Sequence, residues 1–427
     1  MFKNFKLKIK NFVRHPLFSG SFLMIGGSMA INTLSYVYHL IVGRLLGPIE
    51  YGILASVFSI FYIVSVVPLS SSIAIVKFIS SAKNLKEVAQ IYKGINDFII
   101  KLAIILAVVV ILVSLPVSKF LNIPSPVPIM ILAPILFFSL LTLVNQSTAQ
   151  GLLKFIGVVG PNFTSNFTKL ALGVVFIAIG LSVPGAMLAI AIGSLLAYVF
   201  SLVIIKKKIT KLPQKSKFDL KPFFKYTFPA LLQALAFTSL FTVDVILVKH
   251  FLPDFDAGLY ASLSTSGKII YFTVTPIAGV MFPIVSKRHS AGESYKKIFL
   301  TALAFSIVLS LGVDAVYYFF PKTAISILFG SKYLEASSEL ILMGIFITFY
   351  SLNYFLVNYF LAFGKIKVVL LPIVAAILQI IGIFFFWHDN ITQVLVICIT
   401  LMILVFVGLS AILVYGEKTS IGHSTSL

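Results

Sequence analysis

Several charged residues stand inside long apolar runs of the sequence or directly beside one, and five of them could do chemistry. They are Arg44, Lys169, Asp244, Lys268 and Asp314. A charge at the depth of a lipid bilayer is costly, and it normally faces the interior of a helix bundle or a wet cavity. An ammonium or guanidinium group there can bind an anion, whereas a carboxylate can bind a proton or a cation. The pattern therefore indicates a polar interior in a largely apolar chain.

The sequence around Lys169 and Lys268 limits the kinds of group that each lysine could contact. Asn162, Asn166 and Lys169 share one face of a helix that carries no acid near the lysine. Lys169 therefore meets either an anionic ligand or a partner on another helix. Lys268 has Asp244 in the preceding apolar run, and these two either form a salt bridge or contact a ligand directly.

Other polar side chains recur at helical spacing. Ser28, Asn32, Ser35 and His39 form a stripe that leads up to Arg44. This stripe either lines a cavity or packs against another helix, because small and polar residues hold membrane helices together. Ser306, Ser310, Asp314 and Tyr317 form a second stripe. Asp314 either binds a proton or a coupling cation or stays neutral because it is buried. Asp97 and Lys101 are expected to pair at i, i+4.

Composition places these stripes in a membrane. The chain of 427 residues is 59% hydrophobic and 11% charged, and apolar runs of about 20 residues recur along it. We predict an all-α polytopic membrane protein, since the short alternating segments of a β-barrel are missing. The net charge of +20 is explained by Lys and Arg in cytoplasmic loops rather than by nucleic-acid binding.

Twelve transmembrane helices account for the apolar runs. The distribution of basic loop residues places both termini in the cytoplasm and the protein in the inner or plasma membrane. The predicted parts are an amphipathic segment (1–17), an N-lobe (18–205), a basic cytoplasmic linker (206–221), a C-lobe (222–415) and a cytoplasmic tail (416–427).

A repeat relates the two lobes. Val42–Ser56 reads VGRLLGPIEYGILAS and Val248–Ser262 reads VKHFLPDFDAGLYAS, at an offset of 206 residues. Six helices in each lobe give both lobes the same orientation, so a pseudo-two-fold axis along the membrane normal is expected. The repeated stretch is predicted to be an outer hairpin that shapes a gate. Its gate residues would be Gly47, Pro48, Gly52, Lys249, His250 and Gly258.

Motifs of enzymes do not occur in the sequence. It contains no P-loop, no HExxH and no paired-cysteine metal site, and its single cysteine, Cys398, lies in an apolar run. We therefore predict no catalytic residues, no metal site and no cofactor. Energy would come from a proton or Na⁺ gradient or from the membrane potential. Asp244 and Asp314 are the candidates for ion coupling.

The repeated stretches also carry a family resemblance. GRLLGPIEYGILAS, DVILVKHFLPDFDAGLYASLSTSGKI, PIAGVMFPIVSK and KYTFPALL resemble the polysaccharide-export proteins. These are the O-antigen-type flippases of the multidrug/oligosaccharidyl-lipid/polysaccharide (MOP) exporter superfamily. The resemblance covers about residues 18–415. It implies two six-helix lobes in a V, with alternating access to a central cavity gated by the first and seventh helices.

The resemblance also implies a function. Family members move a polyprenyl-pyrophosphate-linked oligosaccharide from the cytoplasmic to the outer leaflet for cell-surface polysaccharide synthesis. Arg44, Lys169 and Lys268 would correspond in kind to the basic cavity residues of such proteins, and Asn32, His39, Asn162 and Asn166 would contact the substrate. Membrane lipids and polysaccharide polymerase or assembly proteins are the expected partners of a monomer. The alternative is a cation-coupled drug or small-solute exporter of the same superfamily.

Overall fold

The structure is a computed structural model that describes residues 16–207, 209 and 218–422. Throughout this part of the chain the regular elements are helices, which confirms the predicted all-α class. The predicted N-terminal segment 1–17 and the linker 206–221 lie largely outside the described residues. The last five residues of the predicted tail 416–427 also lie outside them.

The helices follow one another with short connections. The first are α1 (Pro16–Ser80), α2 (Leu85–Phe120), α3 (Val127–Met130), α4 (Leu132–Gly151), α5 (Ile156–Ala178) and α6 (Ser182–Lys206). They are followed by α7 (Lys221–Phe251), α8 (Asp254–Ser290), α9 (Lys296–Phe319), α10 (Pro321–Leu328), α11 (Leu340–Leu361), α12 (Leu370–Phe385) and α13 (Ile391–Gly422). Two 3₁₀ helices, Ser331–Ser338 and Ile366–Val369, precede α11 and α12.

Gly47 interrupts the longest helix, α1. Its φ of 75° and ψ of 176° are not helical, and a positive φ favours glycine because a Cβ atom would be strained there. Pro48 then opens the next helical stretch, where its missing N–H costs nothing. In the second copy of the repeat, α7 ends at Phe251 and Pro253 precedes α8 in an extended conformation, with φ −53° and ψ 149°.

Ten segments of the described chain are long and apolar enough to cross a membrane. The first, Gly26–Ser80, has 55 residues. It would measure about 80 Å as a straight helix against a hydrocarbon core of about 30 Å, but Gly47 divides it. Helix α5 is not among the ten because Asn162, Asn166 and Lys169 lower its hydropathy. The chain is a multi-pass membrane protein, and twelve spans stay a prediction.

The described residues form two compact units. The first contains the chain up to Leu46 together with Val64–Leu231, and the second contains Gly47–Ile63 together with Leu232–Leu427. The stretch Gly47–Ile63 thus belongs with the C-terminal half of the sequence rather than with its own neighbours. The predicted lobe boundaries, 18–205 and 222–415, remain a prediction.

Each unit has its own packed helices. In the first, α5 packs on α6, and α4 packs on both α2 and α6, with Ile95, Val144 and Phe223 among the residues of a buried apolar cluster. In the second, α11 contacts α8, α9 and α13, while α12 packs on α13. Helix α11 is buried on most sides, so its polar residues lie in the unit's interior.

The outward faces of the long helices are apolar. Leu112 on α2, Val308 on α9 and Leu404 on α13 are all more than half exposed. A water-soluble protein does not display such continuous apolar surface, whereas lipid chains cover it without penalty. These faces agree with a protein that is surrounded by lipid.

Candidate functional site

Lys169 is a buried cation in the first unit. Its side chain, carried by α5, is 8% exposed. The ammonium donates a hydrogen bond to Ser35 Oγ at 3.1 Å and lies 4.6 Å from the centre of the Tyr38 ring. No carboxylate of the described chain lies within 4.0 Å of it. A hydroxyl dipole and an aromatic face are therefore the neighbours that stabilise this charge.

The close approach of α1 and α5 places the ring beside the ammonium. Gly173 follows Lys169 by one turn, and a Cβ atom on it would stand 3.0 Å from Tyr38 Cε2. The Tyr38 ring is completely buried. A larger residue at position 173 would push the ring away from Lys169, so the glycine helps to set the cation–π contact.

Only part of the polar stripe of α1 lies near Lys169. Ser35 contacts Lys169, and His39 lies edge-on to the Tyr38 ring with centroids 5.3 Å apart. Asn32 and Arg44 are exposed. Ser35 is thus the residue of the predicted stripe that contacts the lysine, and the role of the whole stripe stays a prediction.

The two asparagines of α5 make different hydrogen bonds, one to a neighbouring helix and one within α5. Gln146 Nε2 donates to Asn162 Oδ1 at 2.9 Å, which joins α4 to α5. Asn166 Nδ2 donates to the backbone oxygen of Asn162, also at 2.9 Å. Asn162 thus serves helix packing in this structure, as helix-interface amides commonly do, whereas Asn166 bonds back to the turn before it in the same helix.

Lys268 is the corresponding cation of the second unit. Its ammonium lies 4.5 Å from the centre of the Phe241 ring and 5.9 Å from that of Tyr62. It interacts electrostatically with Asp244, but the two groups form no ion pair within 4.0 Å. The direct salt bridge that was one sequence interpretation is therefore not formed.

Asp244 is held by a phenol instead. The Tyr260 hydroxyl donates to Asp244 Oδ2 at 2.6 Å, in a buried position. Asp244 Oδ1 is also buried and has no hydrogen-bond partner in the described part of the chain. One carboxylate oxygen is thus fixed by a hydrogen bond, and the other has no donor among the described residues.

Cys398 interacts electrostatically with Asp244, and Gln379 lies against Cys398. Gln379 Nε2 lies 3.1 Å from Cys398 Sγ and 3.4 Å from the Leu240 carbonyl oxygen, while its Oε1 is buried without a partner in the described chain. Sequence analysis missed Gln379 because it is a single polar residue in the apolar run of α12. Cys398 was read only as part of an apolar run.

An aromatic cluster adjoins Lys268. Phe241 and Tyr350 stack at 5.1 Å with an interplanar angle of 19°, and Tyr271 and Tyr354 meet edge-to-face at 5.7 Å. The aromatic residues Tyr350 and Tyr354 of α11 were not singled out from the sequence. The run FYSLNYFLVNYF, with its many aromatic residues, was the available signal.

Asp314 forms a second buried acid in the second unit. It is 7% exposed, and Thr348 Oγ1 donates to its Oδ2 at 2.7 Å. Its Oδ1 and the Ser310 hydroxyl, one turn earlier on α9, are buried without hydrogen-bond partners among the described residues. Gly344 lies against the carboxylate, where a Cβ atom would collide with Oδ1. The predicted stripe of α9 thus faces α11.

The predicted gate residues are held by contacts within the second unit. Lys249 is almost completely buried and forms an ion pair with Asp254, in the first turn of α8. The His250 ring lies parallel to Phe384 at 6.4 Å. Gly52 and Gly258 bring the two copies of the repeat into backbone contact. Lys249 is consequently part of a helix junction, and its role in a gate stays a prediction.

Asp97 pairs differently from the prediction. Lys93 Nζ lies 2.8 Å from Asp97 Oδ1, while Lys101, four residues on the other side, is exposed. In the described residues no cluster of three or more His, Cys, Asp or Glu side chains could hold a metal ion.

Comparison with known proteins adds a family and a fold. The model of the family described as "Polysaccharide biosynthesis protein" matches residues 41–338. No curated protein sequence matches the chain significantly.

Solved transporter structures share the fold. An inward-facing MATE multidrug resistance transporter of the MOP superfamily is 14% identical, with a TM-score of 0.73 over 92% of this chain and 96% of that one. The lipid II flippase MurJ, inward closed, is 17% identical, with a TM-score of 0.70 over 92% and 87%. A MOP transporter from Pyrococcus furiosus Vc1 (DSM3638), whose binding pocket of reverse polarity suggests a different function, is 14% identical, with a TM-score of 0.60 over 93% and 95%.

Proposed function

Because the chain belongs to the polysaccharide biosynthesis protein family and has the fold of MOP superfamily transporters, we propose that it is a lipid-linked oligosaccharide flippase. It would move a polyprenyl-(pyro)phosphate-linked oligosaccharide from the cytoplasmic to the outer leaflet by alternating access. The family and the all-helical membrane fold were both expected from the sequence and are confirmed, whereas the twelve-helix count and the pseudo-two-fold axis are not. The substrate and the direction are the proposal.

The observation that carries the proposal is a pair of ammonium groups inside the helical units, Lys169 buried and Lys268 half-buried, without a carboxylate within 4.0 Å. Lys169 has Ser35 and Tyr38 as neighbours, and Lys268 has Phe241 and Tyr62. A charge in the protein interior without a direct ion pair is unfavourable, and a bound anion would reduce that penalty. A phosphate cannot cross hydrocarbon unpaired, and these lysines would supply its counter-charge.

The aromatic cluster beside Lys268 supports a sugar as the other part of the substrate. Its rings present apolar faces, and the Tyr271 and Tyr354 hydroxyls add polar groups at their edges. Such surfaces suit a sugar, which has an apolar face and hydroxyl groups around it. Asn32, His39, Asn162, Asn166 and Arg44 remain proposed substrate contacts, with the asparagines of α5 exchanging their present hydrogen bonds.

The topology remains part of the proposal. We propose twelve spans, with Gly47 separating the first two and the polar α5 as a span of its own, related in halves by a pseudo-two-fold axis. Both termini would be cytoplasmic in the inner or plasma membrane, and the protein would work as a monomer without a cofactor. Polysaccharide polymerase or assembly proteins remain its proposed partners.

A second candidate function rests on the two buried acids. Asp244 and Asp314 each keep one carboxylate oxygen without a hydrogen-bond partner in the described chain. Such oxygens suit a proton or Na⁺. They would couple transport to an ion gradient, either for the flippase or for a small-solute exporter of the same superfamily.

Reconstitution tests the two functions. The protein is placed in liposomes with a fluorescent polyprenyl-pyrophosphate-linked oligosaccharide, and the fraction reaching the other leaflet is measured by quenching. The flipping rate of the K169A/K268A double variant should fall more than tenfold. The phosphates of the substrate would then lack their counter-charges, and an unpaired buried charge costs about 2–5 kcal/mol. K119A/K322A, which removes two exposed lysines, should transport normally.

The exporter would give a different result. Wild-type protein would then move a cationic dye under a proton or Na⁺ gradient, with D244N and D314N abolishing the movement and K169A/K268A leaving it intact. Normal oligosaccharide flipping in a correctly inserted K169A/K268A variant would refute the assigned lysine roles.

A further inference from the structure

An apolar groove opens between α8 and α9 on the second unit. Its volume is about 710 Å³. Ile277, Val280 and Ile284 line it from α8, and Ile298, Ala302 and Phe305 line it from α9. It lies apart from the Lys268, Asp244 and Asp314 clusters, since none of these residues lines it.

The groove lies on the outer surface of α8 and α9, and each of these helices is long and apolar enough to cross a membrane. Val280 and Phe305 on its walls are more than half exposed. Because lipid chains are the solvent at this depth, the open groove is positioned to receive a hydrocarbon chain from the side.

One end of the groove is basic. Arg288 and Lys297 close it where α8 ends and α9 begins. The Arg288 guanidinium is held by the connection between α8 and α9. Its Nη1 donates to the Ser294 carbonyl oxygen at 3.1 Å, and its Nε lies 3.8 Å from a Glu293 oxygen. Lys297 has no carboxylate within 4.0 Å among the described residues.

The start of α9 adds to this positive end. Its N-cap residue, Tyr295, makes no side-chain capping hydrogen bond. The first N–H groups of a 24-residue helix therefore lie beside Lys297 with the positive end of the helix dipole. An anionic group here would meet a lysine, an arginine and backbone donors together.

The length of the groove matches one leaflet. From Pro276 to Arg288 the helix rises about 18 Å, at 1.5 Å per residue. Half of the hydrocarbon core measures about 15 Å. A molecule with its charge at the basic end would thus place a single acyl chain along the groove and reach about the middle of the bilayer.

We propose that this groove binds one anionic glycerophospholipid, with its phosphate at Arg288 and Lys297 and an acyl chain between α8 and α9. This site is independent of the proposed transport substrate. Basic residues near a membrane surface each strengthen anionic-lipid binding by about fivefold, so their joint removal should weaken it by about twentyfold or more.

Native mass spectrometry of the full-length protein tests the site. Detergent-solubilised protein is titrated with phosphatidylglycerol and, separately, with zwitterionic phosphatidylcholine. Wild-type protein should retain one phosphatidylglycerol at concentrations where phosphatidylcholine is lost. R288Q/K297Q should lose that preference, whereas K86Q/K154Q, which removes two exposed lysines of the first unit, should keep it.

A second variant tests the apolar part without changing charge. Ala302→Phe fills the groove and should also displace the lipid, with thermal unfolding confirming that each variant is folded. Unchanged phosphatidylglycerol binding in R288Q/K297Q, or equal retention of both lipids by wild type, would overturn the proposal. Preferential retention of a polyprenyl phosphate that is lost in the same variants would assign the groove to the carrier lipid and overturn it as well.

Discussion

Gly52 and Gly258 occupy matching positions in the two copies of the repeat and pack backbone against backbone. A Cβ atom built on Gly52 would stand 2.9 Å from the amide nitrogen of Gly258, and one on Gly258 would collide with the Pro48 carbonyl. The repeat therefore encodes more than a pair of turns. It brings the first turns of two helices into a contact that only glycine permits.

Substitution of Gly258 by alanine should destabilise the protein. The added methyl group has no space against Pro48, and overpacking of this kind costs about 1–3 kcal/mol. Gly279 is the matched control, because it lies on the same helix and a Cβ atom there meets nothing within 4 Å. Thermal unfolding in detergent should show a lower midpoint for G258A than for wild type and no decrease for G279A. Equal midpoints for wild type and both variants would contradict the contact.

Loss of the Tyr260 hydroxyl should destabilise the protein, because Asp244 would lose its hydrogen-bond donor. Y260F removes the 2.6 Å hydrogen bond while keeping the ring, which leaves a buried carboxyl less satisfied at a cost of about 1–3 kcal/mol. Y318F changes an exposed tyrosine and should have no effect. A double-mutant cycle of Y260F and D244N, with the free energy of unfolding as the measured quantity, gives the coupling between the two side chains. Additive effects of the two substitutions would show that the side chains act separately.

The sequence predicted the fold through features that act locally or by composition. Apolar runs identified the helices, and Gly47-Pro48 and Pro253 marked interruptions because backbone sterics decide these without reference to distant residues. The placement of Gly47–Ile63 in the second unit could not be foreseen, since it depends on which helices pack together.

The site was harder to predict because its contacts join different helices. Position on a helix face correctly linked Asp314 to Ser310, but Thr348 belongs to α11 and carries no signal of its own. Asp97 shows the same limit over a short distance. Lysines stand four residues away on both sides, and the favourable order for an isolated helix points to Lys101, whereas the structure pairs it with Lys93.

Replacement of Asp314 should change coupling rather than folding. D314N keeps the shape of the side chain and its contact with Thr348 but cannot carry the charge that binds a proton or cation. In proteoliposomes the variant should flip substrate at a rate that no longer responds to an imposed proton or Na⁺ gradient. D97N alters a partly exposed acid and should respond as wild type does. A full response in D314N would remove Asp314 from the coupling role.

The Phe241 ring should matter for substrate handling through Lys268. F241L removes the aromatic face 4.5 Å from the ammonium, and a cation–π contact of about 0.5–2 kcal/mol corresponds to roughly a two- to thirtyfold change in affinity. F241Y keeps the face and should bind lipid-linked oligosaccharide nearly as tightly as wild type. If leucine and tyrosine behave alike in a binding titration, the ring does not organise the lysine.

The central claim is that Lys169 and Lys268 neutralise the phosphates of the substrate, and a binding titration tests it most directly. Wild-type protein, K169A/K268A and the K119A/K322A control are each titrated with the pyrophosphate-linked oligosaccharide lipid and with its uncharged analogue. Wild type and control should prefer the pyrophosphate form by more than tenfold, and K169A/K268A should bind both forms equally. A double variant that keeps the wild-type preference would show that the phosphates are bound elsewhere and would contradict the account.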